Sequence, residues 1–156
     1  MKHLSCRLLL CLAFSIVSLF MVRQGFATLG QTADSVESDR RALSAVRGGT
    51  TAQNGYTVQE VTYDGAALRE YISASGIVFA VAWNGMRHPD LTALLGSYTD
   101  QYQKALAQTS RQPGLRRLSV KADGVVVEKW GHVRNLQGRA YAPDLIPPGV
   151  AIDEIR

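Results

Sequence analysis

Three side chains have the types that chemistry needs: His88, Asp90 and His132. His88 and Asp90 stand in an H-x-D spacing that could offer two metal ligands, and His132 could supply a third if the hairpin carrying it packs beside them. The same groups could act as general acid and base, although no nucleophile lies nearby in sequence. The plainer reading is favoured: both residues precede a helix and would satisfy its free amides. The chain has no G-x-S-x-G, S-x-x-K or H-E-x-x-H motif and no glycine-rich phosphate loop. These absences weigh against the familiar hydrolase, metalloprotease and nucleotide-binding classes. No cofactor, bound metal or catalytic residue is assigned.

The elements that must position these residues are legible on either side. Ile77 to Trp83 is apolar on both faces, with Ile77, Phe79, Val81 and Trp83 large and Val78, Ala80 and Ala82 smaller. This is the pattern of a central strand covered on both sides, with the small face open to close approach by a helix. From Leu91, apolar or aromatic residues recur at Leu94, Leu95, Tyr98, Tyr102, Ala105 and Leu106, which is one helical face. Pro89 and Asp90 suit the first turn of a helix over 89–107, and Gly96 within it suggests a bend or a close neighbour. Tyr56 to Tyr63 and Ala67 to Ile72 read as strands joined at Asp64-Gly65; Leu118 to Lys121 and Val125 to Trp130 read as a second pair joined at Asp123-Gly124. A further strand is expected through 139–142, and the proline-rich end, 143–156, as an extended strap docked on the domain. Asp34 with Glu37 resembles a capping box, so a short helix is expected over 35–46, ended by Gly48-Gly49. The fold class is α+β: an antiparallel sheet of about five strands, one long amphipathic helix packed on it, and a short N-terminal helix.

The first residues point to export. Lys2 and Arg7 precede an uncharged run from Leu8 to Val22, and Gly25 and Ala27 occupy the small-x-small positions before a signal-peptidase cut between Ala27 and Thr28. The run of 15 residues is shorter than a spanning helix needs, about 20, so no stable membrane span is expected after cleavage. The expected organisation is therefore a signal peptide over 1–27, a lead-in with the short helix over 28–54 and one α+β domain over 55–156. Cleavage removes three of 17 basic residues and none of 13 acidic ones, lowering the net charge from +4 to +1. So small a charge gives no electrostatic footprint for nucleic acid. Both cysteines, Cys6 and Cys11, leave too, so the mature chain has neither disulfide nor thiolate chemistry.

What remains favours recognition over catalysis. Aromatics at strand ends, Trp83 and Trp130, can rim a pocket or close a core. The Arg69–Tyr71 strand face and the rim of Trp83, Arg87, His88 and Asp90 are the candidate surface for a small ligand or an envelope protein. Arg116, Arg117 and Lys121 read as a solvated basic edge. A periplasmic or secreted binding module is the leading reading. A metal-dependent protein or enzyme centred on His88, Asp90 and His132 is the alternative, and an assembly factor for another exported protein is a third.

One resemblance covers most of the mature chain. Gly65, Arg69 to Tyr71, Ser75-Gly76 with Val78 to Val81 and Trp83, and Pro89 to Gly96 with Tyr98 form a pattern that resembles an exported bacterial family, domain of unknown function 2844. Gly138 to Val150 is similar to that family's C-terminal segment, and Met86 stands where many members carry proline. The resemblance implies an exported protein of Gram-negative bacteria and transfers no catalytic or ligand residues.

Overall fold

The computed structural model describes residues 29–32, 46–63, 66–110, 114 and 116–156. Seven strands form one antiparallel sheet: β1 (Val46–Gln53), β2 (Tyr56–Tyr63), β3 (Ala66–Ser73), β4 (Val78–Gly85), β5 (Arg117–Ala122), β6 (Val125–His132) and β7 (Asn135–Tyr141). Their order is β1-β2-β3-β4-β7-β6-β5. The sheet is thus larger than the five strands expected. Gly48 and Gly49 hid β1, whose register with β2 shifts between Arg47 and Thr50, and Gly138 hid the first half of β7. The N-terminal helix expected over 35–46 falls outside the described residues, except for Val46, which opens β1. The cleavage residues Ala27 and Thr28 also lie outside them.

β4 is central and buried along Val78–Trp83, as its two-faced apolar pattern requires. Strand alternation sends Val81 and Trp83 to one face and Ala80 and Ala82 to the other. Between Tyr71 and Ile72 the register with β3 shifts, so Phe79 is the additional residue of a bulge. The face of Val81 and Trp83 meets the helical segment: α1 (Leu91–Leu95), one 3₁₀ turn (Gly96–Tyr98) and α2 (Thr99–Gln108), which bury Leu91, Leu94, Leu95 and Tyr102. The helix therefore packs on the large face of β4, not on the small one as expected. Gly96, at φ 51°, makes the bend and donates its N–H to the Thr92 carbonyl.

The small face is taken by the C-terminal strap. Ile155 is fully buried against Tyr56, Tyr71, Phe79, Ala80 and Tyr141, with Leu145, Ile146 and Val150 beside it. Short alanines leave room for that layer, and Tyr56, Tyr71 and Phe79 pack in tilted and edge-on pairs 5.9–6.1 Å apart. Of residues 29–32, read as a polar lead-in, Leu29 belongs to the core. Leu29 is fully buried under the helix and donates its N–H to the Leu94 carbonyl, while Gly30 bonds the Val78 carbonyl. Among the described residues no helix is long and apolar enough to cross a membrane.

Candidate functional site

The strap covers only part of its sheet face. Beyond it, the register aligns Glu60, Arg69, Ala82, Arg139 and Glu128 across β2, β3, β4, β7 and β6. The next row on the same face is Thr62, Ala67, Asn84, Gln137 and Trp130. Large groups flank small ones, so a groove of about 240 Å³ opens between them, lined by Ala67, Arg69, Asn84, Trp130, Gln137 and Arg156 among others. Ala82, with the Trp83 and Gly138 backbone, forms its floor: the Trp83 ring lies on the opposite, helix-facing side.

Polar groups around the groove are held in place. Arg69 donates Nε to Glu60 at 2.9 Å and Nη1 to the Arg156 backbone oxygen at 2.7 Å. Trp130 donates its indole N–H to Gln137 Oε1 at 3.1 Å, and Gln137 Nε2 donates to Asn135. Behind this wall, Arg139 donates Nε to Glu128 Oε2 at 2.7 Å and Nη1 to the Ile152 and Ile155 carbonyls. Its guanidinium also lies 5.8 Å from the Trp130 ring and 5.9 Å from Tyr141. Both side chains of the Arg139–Glu128 pair are only 12% exposed. Burial alone would raise the Glu128 pKa, but the hydrogen bonds and charges of Arg139 and then Arg117 hold it below the usual carboxylate range. Arg139 thus pins the strap to the sheet and stiffens the groove's edge.

The residues chosen from sequence separate into different roles. Tyr71 donates to the Arg156 backbone oxygen and accepts from the Arg156 N–H, both at 2.9 Å, and so holds the strap. Asp90 is the N-cap of α1, accepting from Thr92 N at 2.9 Å. His88 does not cap: its Nδ1 accepts the Trp83 indole N–H at 2.9 Å, with the rings edge-on. That bond fixes the neutral tautomer protonated at Nε2. Burial, and secondarily Lys129, lowers the His88 pKa to the same effect. His132 is exposed at the far end of β6 and bonds Arg116 at 2.9 Å. His88, Asp90 and His132 therefore have three separate sets of partners, and among the described residues no group of three histidines, cysteines or acids could hold a metal. Arg87 is exposed on the loop before the helix. Of the chosen residues, the groove brings together Arg69 and the backbone of Trp83.

Asn84, Gln137 and Trp130 were missed as a set because they come from three strands. Only the register of β4, β7 and β6 makes them neighbours. The available signal was small residues in strands, Ala67 and Ala82, between larger polar ones.

The sequence profile of the family described as Protein of unknown function (DUF2844) matches residues 25–155. The chain belongs to this family. The match takes in every strand of the sheet and almost all of the strap, so all of the groove's lining except Arg156 lies within the DUF2844 region. No curated protein and no solved structure matches the chain.

Proposed function

We propose that this DUF2844 protein is an exported, non-catalytic binding module whose site for a small polar ligand is the groove between Arg69 and Trp130. One observation carries this reading: a concave space of about 240 Å³ on a rigid sheet, with small side chains at its floor and guanidinium, carboxamide and indole groups at its walls. Such a composition suits recognition, since a few placed polar groups orient a ligand over a preformed surface. Among the described residues, its lining includes no serine, threonine, cysteine, histidine, aspartate or glutamate. The envelope location rests on the charged start, apolar run and small-x-small site of residues 1–27. Leu29, two residues past the predicted cut, is already part of the core, so the cut would leave the domain intact.

The test is a set of binding titrations following Trp130 fluorescence with polar metabolites and saccharides. Ala67→Trp fills the groove from an exposed position and should abolish any saturable binding without unfolding the protein. Binding that survives in this variant would place the ligand elsewhere. N-terminal sequencing of the protein recovered from cell fractions should begin at Thr28 in the envelope fraction. A cytosolic protein retaining residues 1–27 would overturn export.

A further inference from the structure

The hairpin turns of the sheet do not follow one rule. β1–β2, β5–β6 and β6–β7 are each joined by two residues: Asn54-Gly55, Asp123-Gly124 and Val133-Arg134. In the first two a glycine takes the left-handed backbone, Gly55 at φ 87° and Gly124 at φ 72°. In the third the same position holds Arg134 at φ 74°, the one non-glycine residue with positive φ among the described residues. A bulky residue there is strained, and such strain persists only where the surrounding structure holds it, which is common at functional positions. The turn also holds Val133 at 89% exposure, the most exposed large hydrophobic residue described, followed by Met86 at 69%.

The register brings these two together. Gly85 and Gly131 both pair with Leu136, so the β4 exit carrying Met86 and the β6–β7 tip carrying Val133 project from the same end of the sheet. With a strand spacing of about 4.8 Å, they lie roughly two strands apart. Arg87, Arg116 and Arg134 are exposed at the same end, flanking the aliphatic tips. Of these arginines, Arg116 also bonds His132, and Asp90 at this end caps α1.

We propose that this end of the sheet docks on an anionic lipid bilayer, with Val133 and Met86 entering the interface and the arginines facing the headgroups. Aliphatic tips inside a basic ring match the requirements of peripheral membrane attachment: apolar area for the acyl boundary and positive charge for the surface potential. A near-neutral protein can do this because the charge is local. The groove opens on a face of the sheet, one residue pair in from this end.

The experiment is co-sedimentation of the protein with vesicles of phosphatidylcholine alone and of phosphatidylcholine with phosphatidylglycerol. Binding is expected only to the anionic vesicles and should weaken with salt. Arg134→Gln should lower it about fivefold, the worth of one cation near such a surface. The decisive variant is Val133→Asn with Arg134→Gly, which installs the turn sequence of the β1–β2 hairpin. It should melt higher than the parent, because the backbone strain is relieved, and yet lose vesicle binding. A variant that folds and still binds as the parent does would overturn the proposal, as would equal binding to neutral vesicles or none to either. If vesicles are not bound but the same variant loses a co-purifying protein, the tip is a protein interface and the lipid proposal is wrong.

Discussion

Gly138 is the position where the packing account is most exposed to test. It lies opposite Trp83 on β4 and Lys129 on β6, and Trp83 crosses the space its side chain would occupy. A Cβ added there would stand 2.6 Å from Trp83 Cε2 and 2.6 Å from the Glu128 carbonyl oxygen, inside any real contact. In Gly138→Ala the indole must withdraw, and its hydrogen bond to His88 breaks with it. Overpacking of a filled core costs ~1–3 kcal/mol, and the lost bond adds ~0.5–1.5 kcal/mol. A total of ~2–4 kcal/mol should lower the melting temperature of a domain of this size by roughly 10 °C, measured by circular dichroism. Combining the change with Trp83→Leu separates the causes. The indole clash disappears while the carbonyl clash remains, so the two mutations should couple by about 1 kcal/mol or more. A Gly138→Ala protein that melts within about 2 °C of the parent would mean that the indole does not fill the space beside Gly138.

Arg139→Met leaves Glu128 buried beside Tyr141 without its main partner and frees two strap carbonyls; it should destabilise by ~3–5 kcal/mol in urea unfolding, with much of the loss recovered on adding Glu128→Gln. Tyr102→Phe removes a hydroxyl buried without a hydrogen-bond partner and should be neutral or stabilising by up to ~1 kcal/mol in the same assay. Because the fold favours neutral His88, its contribution is present above the ordinary histidine pKa of 6.5 and is lost as pH falls below it, so stability against pH should slope there in the parent and flatten in His88→Leu. Tyr56, pushed up to about 12 by burial and then by Glu154, works in the opposite direction: its contribution is present below pH 10 and is lost as pH rises from 10 towards about 12. A Tyr56→Phe protein should lose that alkaline slope.

The central strand, the helical face and the docked strap were legible because each announces itself locally, by two-faced apolarity, by three-and-four spacing, and by proline with aliphatic residues. The covering of β4 was read the wrong way round. Small residues do invite close approach, but an irregular strap with two 3₁₀ turns fits over Ala80 and leaves Ala82 to the groove, while the helix meets Val81 and Trp83. β1 escaped notice because its glycines carry no strand propensity and its pairing partner supplies the order. The groove was not legible from local pattern, since it exists only where the β3–β4 hairpin aligns with the β6–β7 hairpin, far apart in the chain. His88 illustrates the limit of motif reading: H-x-D suggested ligands or caps, whereas its partner is an indole five residues earlier.

Amide chemical-shift mapping during a fragment titration tests whether the uncovered part of the sheet face binds a ligand. Saturable shifts are expected at Ala67, Ala82, Gly138 and the Trp130 indole, and none in Ala67→Trp. Saturable shifts confined to the His88–Asp90 junction, with the groove silent, would contradict this expectation.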